Sequence, residues 1–297
     1  MRFITPLRGF WLVWALATVF LAFHSLGMAA LAAGGAMYAL LLQFVTTRIL
    51  PPSPEAPSDE VLRDALLPFD ARRIARLGAA VATLVFVTVL GFSFAGRSSR
   101  GVFIPILTPL VESLQRMHTP LGNGYIPVLN LVCLALIPGA FLILFGASRL
   151  MLGLGAWRSG SRRVLAICLV LPLGMAMVAL IRGGVTPTTL AMMCVHNLLS
   201  NGFSEEFFAR VVLLSQLRGW LRNDASLVTQ AMLFALIHFG GSLSDDPGRL
   251  VVLALSIALN APMGLTLGIM ALRSRSVALP TVVHVSLDTM GSLLGAR

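Results

Sequence analysis

Six ionisable residues stand where apolar helices should carry none: Glu205, Glu206 and Arg210 in SNGFSEEFFAR, His238 in FALIH, and His284 with Asp288 in HVSLD. A carboxylate can take a proton from water, and imidazole donors can hold the negative charge that then develops on the attacked group. Each such side chain costs roughly 2.5–3.5 kcal/mol at the centre of a membrane helix unless it is paired or lines a wet cavity. One shared intramembrane site is therefore the default hypothesis. Glu205 and Glu206 are neighbours, so on a helix they point about 100° apart and must have different tasks. Arg210 follows Glu206 by four residues, the spacing and order at which acid and base meet on one helical face. Glu206 and Arg210 thus read as an internal ion pair, with Glu205 directed elsewhere. His284 and Asp288 repeat the same spacing, and Phe234, four residues before His238, can pack the ring that positions it.

The elements that must hold these groups are hydrophobic. Of the 297 residues 57% are hydrophobic and only 11% charged, with a mean hydropathy of +0.88. A soluble domain carries about a quarter charged residues. The expected fold is all-α, a polytopic transmembrane helical bundle in contact with the lipid bilayer. Basic residues number 22, all of them arginine, against 12 acidic ones, for a net charge of +10. This excess reads as the basic cytoplasmic face of a membrane protein; no nucleic-acid partner is expected, because no basic, aromatic-interleaved soluble segment is present. Cys133, Cys168 and Cys194 each lie in an apolar stretch without a CxxC partner and read as core residues.

A span needs about 20 apolar residues. The run from Gly9 to Val45 is nearly twice that, with His24, Ser25 and Gly27 near its centre, so it reads as a membrane hairpin rather than a cleaved signal peptide. Residues 51–76 form a polar linker ending in Arg72, Arg73 and Arg76. Further apolar runs cover 77–95, 126–147, 164–181, 188–217, 225–241, 250–272 and 277–294. This gives nine spans, or eight as the alternative, in an inner membrane with the N-terminus in the cytoplasm. Alternation then brings Arg149, Arg158, Arg162, Arg163, Arg218, Arg222, Arg273 and Arg275 to one face. The chain divides into an N-terminal hairpin and linker (1–76), accessory membrane helices (77–186) and a helical core carrying the candidate site (187–297). Gly264 and Gly268 form a GxxxG, which reads as close helix contact or as room for a substrate peptide.

Plainer readings stand beside the sharp one. Glu206 with Arg210 fixes helix register as a structural pair, and either His238 or His284 alone reads as a core histidine. His24, His118, His196 and Glu112 are left with structural or interfacial roles. A proton-coupled transporter could use Glu205, His238 and His284 as a relay, but no internal repeat is visible and only Pro262 hints at a broken helix. A catalytically silent scaffold or immunity protein is the other alternative.

The ordered set EExxxR, FxxxH, paired glycines and HxxxD resembles the CPBP family of intramembrane proteases, which includes type II CAAX prenyl endopeptidases and bacterial proteins described as bacteriocin-processing or immunity factors. The resemblance covers Pro187 to the end of the chain. It implies an endopeptidase acting on a membrane-associated protein or peptide. Glu205 would activate water with His238, while His284 and the residue at Asp288 would form the oxyanion site. Those relatives carry Asn where this chain has Asp288. An ionised Asp is a poor oxyanion donor, so here it is either protonated or orients His284. The resemblance implies no catalytic metal, although Glu205, His238 and His284 are enough ligands for zinc; without HExxH, and with the three on separate helices, zinc is the less favoured reading.

Overall fold

The computed structural model describes residues 5–51, 118–119, 122–123, 125–144, 152–155, 157–218, 221–239 and 248–295. The linker at 52–76, the apolar run at 77–95, Glu112, Arg149 and the loop with Asp245 and Asp246 lie outside the described residues. The fold is all-helical: α1 Thr5–His24, α2 Leu26–Ile49, α3 over 125–144, α4 Ser161–Ile181, α5 over 187–218, α6 Asn223–Phe239, α7 Arg249–Ser274 and α8 Ala278–Gly295. The exceptions to this pattern among the described residues are a two-residue antiparallel pairing of β1 His118–Thr119 with β2 Gly122–Asn123 and an isolated antiparallel bridge between Leu154 and Ser276. By length and composition, four helices among the described residues can cross a membrane: Leu7–His24, Leu26–Ile49, Ser161–Ile181 and Leu250–Ser274. Helix α5, which carries the two glutamates and Arg210, is not among these four; its inward-facing polar side chains lower its hydropathy.

The helices sort into two compact units. The first holds α1, α2 as far as Phe44, the end of α5 from Leu213, α6, and α7 as far as Ile269. Its α1–α2 break falls at Ser25, inside the expected hairpin turn, and Ser25 Oγ caps α2 by accepting from the Met28 N–H at 3.3 Å. Small residues let these backbones approach, as membrane helices require: Ala17 and Leu21 pack with Ala32, Ala254 and Ala258. Side chains also bond across helices to backbone carbonyls. Trp14 Nε1 donates to Ala258 O at 3.0 Å and Thr266 Oγ1 to Ala39 O at 3.0 Å.

The second unit holds α2 from Val45, α3, α4, α5 as far as Val212, α7 from Met270, and α8. Helix α4 buries one stripe, Ser161, Val164, Cys168 and Pro172, against α8 and exposes Val170, Leu173, Met177 and Ile181 as a lipid-compatible face. Helix C-termini leave carbonyls without intrahelical partners. Arginines satisfy them here: Arg158 Nη1 donates to Pro51 O at 3.0 Å and Arg273 O at 2.8 Å, and Arg273 Nη1 donates to Leu50 O at 3.1 Å. Arg158 and Arg273, expected on one face, do meet. Beyond α7, Arg275 takes φ 56°, the left-handed conformation common after a helix end, and Ser276 Oγ accepts from the Ala278 N–H at 3.1 Å to start α8.

Candidate functional site

Helix α5 is not a regular α-helix. It is π-helical over Leu198–Gly202 and again over Phe207–Leu214, with one α-helical turn, Phe203–Glu206, between them. The wider π turns release carbonyls from the α-helical ladder, and such bulges recur at functional sites. Two of the released carbonyls are claimed by side chains. Asn130 Nδ2 of α3 donates to Ser200 O at 2.6 Å, and Ser204 Oγ donates to Leu199 O at 2.9 Å. Glu205 and Glu206 therefore stand on a short turn whose N-terminal approach is braced by these two bonds.

Glu206 is fully buried, and its carboxylate accepts a bidentate pair from Arg210, Nε to Oε2 at 2.8 Å and Nη2 to Oε1 at 3.0 Å. The expected ion pair is present in the strong, charge-assisted geometry. What the spacing did not reveal is a third partner: His284 Nδ1 of α8 lies 3.0 Å from Glu206 Oε1. The carboxylate is an acceptor at both oxygens, so Nδ1 carries the hydrogen and donates it. The other ring nitrogen, Nε2, lies 3.6 Å from Asp288 Oδ1, an ion-pair separation rather than a hydrogen bond. Glu205, half-buried beside this network with Oε2 shielded, also acts electrostatically on His284.

Helices α5 and α8 meet because Gly202 lets them. A Cβ at Gly202 would collide with Val285 Cγ2 and stand 3.2 Å from Asn197 O. On either side of that crossing, Asn197 Nδ2 donates to Thr289 Oγ1 and Asn201 Nδ2 to Asp288 Oδ2, each at 3.1 Å. Asn197 and Asn201 were not among the expected site residues, although the run HNLLSNGFSEE already held five polar side chains ahead of the glutamates. Gly202→Ala is expected to lower stability by about 1–3 kcal/mol through overpacking, read as a lower melting temperature of the detergent-solubilised protein.

His238 and Phe234 belong to the first unit. As expected, Phe234 positions the imidazole: the ring centroids are 4.7 Å apart, and His238 Nδ1 lies 2.8 Å from Phe234 O. A carbonyl accepts only, so Nδ1 is the donor and Nε2 bears the lone pair of the neutral ring. Gly264 and Gly268 make the expected close contact. A Cβ would stand 3.1 Å from Phe234 Cδ1 at the first and 2.9 Å from Gln230 Oε1 at the second. Among the histidines left aside, His24 Nδ1 lies 3.0 Å from Phe20 O at the hairpin break, and His196 O accepts from Ser200 Oγ at 2.8 Å. Cys133 and Cys168 are buried and Cys194 half-buried, and none of the three is in a disulfide.

No curated protein and no solved structure matches the chain. Residues 187–290 match the family model described as Type II CAAX prenyl endopeptidase Rce1-like. The matched stretch starts with α5, runs through α6 and α7, and ends within α8, so it contains every residue of the two clusters above except those contributed by α3. Together with the apolar helices this makes the chain a multi-pass membrane protein, and the match supports a CPBP-family domain of the Rce1-like type over residues 187–290.

Proposed function

We propose that this chain is an intramembrane endopeptidase that hydrolyses a peptide bond of a membrane-associated protein or peptide, with Glu205 as the base that activates water. The observation that carries the reading is the division of labour between the neighbouring glutamates. Arg210 and His284 together occupy the Glu206 carboxylate, and proton transfer therefore falls to Glu205. Glu205 takes a proton from water as the oxygen attacks the carbonyl carbon. The tetrahedral oxyanion then collapses, the C–N bond breaks, and the proton passes to the leaving amine. His238 enters from the family resemblance as the second group in water activation, and its Nδ1 bond to Phe234 O suits it, because Nε2 is then the basic nitrogen. The Asn201 bond to Asp288 and the approach of Asp288 to His284 Nε2 support the orienting role for Asp288 rather than the protonated one.

Zinc fits this site poorly. His284 turns Nδ1 to Glu206 and Nε2 toward Asp288, so both ring nitrogens already face acidic side chains. The mechanism routes no step through a metal. Cleavage is expected to persist after exhaustive chelation; its loss on chelation and return with added Zn²⁺ would favour the metal-dependent reading.

The arginines at the shared end of α2 and α7 support a cytoplasmic location for that end, and with it a cytoplasmic N-terminus in the cell membrane. The test of function is the appearance, in membranes containing the chain, of new protein N-termini absent from membranes without it. Their absence despite normal insertion would contradict the reading.

A further inference from the structure

Asn201 is the polar side chain nearest in sequence before Glu205 on α5 apart from Ser204, whose hydroxyl turns back to Leu199 O. Its own amide reaches across to α8, where Nδ2 donates to Asp288 Oδ2 at 3.1 Å. The other oxygen of Asp288 is the one facing His284 Nε2, at 3.6 Å, and His284 Nδ1 reaches Glu206, which Arg210 holds. The side chains thus form a continuous chain, Asn201 to Asp288 to His284 to Glu206 to Arg210, crossing twice between α5 and α8. Arg210 anchors one end and Asn201 the other.

The two ends are not equivalent. Glu206 and Arg210 are fixed on one helix by their spacing and by two charge-assisted bonds. Asp288 is the looser end: its side chain retains 27% exposure, and a partly exposed carboxylate at ion-pair distance from its imidazole can turn about its Cβ–Cγ bond. The negative charges of Glu205 and Glu206 near His284 make the neighbourhood one in which a turned carboxylate meets repulsion. A neutral donor on Oδ2 fixes the plane of the group without adding charge, and Asn201 is that donor. The partner rung Asn197–Thr289 and the Gly202–Val285 approach hold α5 and α8 close enough for the bond to form.

We infer that Asn201 is a positioning residue of this site: it orients Asp288 against His284, and through His284 the carboxylate network beside Glu205. The inference rests on the endopeptidase reading. The experiment swaps the pair. Wild type, Asn201→Asp, Asn201→Ala, Asp288→Asn and the double swap Asn201→Asp with Asp288→Asn are assayed as full-length protein on the membrane substrate revealed by its new terminus, with Glu205→Gln alongside and with melting temperatures in detergent.

Asn201→Asp sets two carboxylates against each other and is expected to lower kcat about 100-fold, the scale of a misplacement near 1 Å, with KM held within about threefold because no substrate contact is removed. The double swap restores an amide–carboxylate bond with the partners exchanged and is expected to recover at least about tenfold of that loss, a coupling that independent sites do not show. Asn201→Ala, which brings no charge, is expected to lower kcat less than Asn201→Asp and to keep a near-wild-type melting temperature. Should Asn201→Asp fail to fold, Asn201→Ala decides: an unchanged kcat overturns the inference. A double swap no more active than Asn201→Asp, both being folded, overturns it as well. Wild-type cleavage that survives Glu205→Gln, or no cleavage by the wild type, instead overturns the endopeptidase reading and this inference with it.

Discussion

Replacing Arg210 with Met is expected to destabilise the protein by about 3–5 kcal/mol, the cost of leaving one partner of a buried pair without the other. Glu206 is fully buried and the Arg210 side chain is 1% exposed. The substitution removes both guanidinium bonds and leaves the His284 Nδ1 bond to compensate a carboxylate in an apolar interior. The double variant Arg210→Met with Glu206→Gln is expected to recover most of the loss, because it removes the stranded charge as well as its partner; replacing a whole buried pair is often neutral. Chemical unfolding of the three forms in detergent measures both numbers. A single variant within about 1 kcal/mol of wild type would place Glu206 in contact with water or another cation and break the network described here.

Glu205→Gln is expected to behave in the opposite way. The glutamine keeps shape and hydrogen-bonding capacity but cannot accept the proton of the attacking water, so kcat should fall by about 10²–10⁴, the usual contribution of a general base. KM and melting temperature should stay close to wild type, because Glu205 is half-buried and is not the carboxylate that Arg210 clamps. Glu205 and the Glu206–Arg210 pair are thereby separated by experiment: Arg210→Met removes stability, Glu205→Gln removes rate. Equal losses of rate and stability from Glu205→Gln would assign both residues to one structural cluster.

Much of this arrangement is legible in the amino-acid sequence. The hairpin break at Ser25, the approximate extents of α3 to α8 and the i, i+4 pairing of Glu206 with Arg210 follow from hydropathy and local spacing, which depend on residues close in sequence. The bond from His284 to Glu206 is not legible there, because it joins residues 78 positions apart, and a helical pattern says which residues share a face but not which face meets which. The π-helical turns are equally hidden. Nothing in LLSNG or FFARVVLL demands an extra residue per turn; the turn is stabilised by tertiary donors such as Asn130 on a different helix. Asn201 escapes notice for the same reason: an asparagine beside Gly202 reads locally as a helix breaker, and only the approach of α8 makes it a donor to Asp288.

Hydropathy gives a partial answer on membrane spans, and the reason is physical. The four helices that satisfy length and composition include α1, α2 and α4, whose exposed faces are nearly all apolar, whereas α5 spends much of its surface on Asn197, Ser200, Asn201, Ser204, Glu205, Glu206 and Arg210. A helix that lines a polar site loses hydropathy to the groups it turns inward. The expected run at 77–95 lies outside the described residues.

The central claim is that Glu205 drives peptide-bond hydrolysis, and the most direct measurement compares the termini of membrane proteins in cells carrying wild-type chain with those in cells carrying Glu205→Gln at equal membrane abundance. The account predicts new termini in the first and none of them in the second. The same termini in both would contradict it.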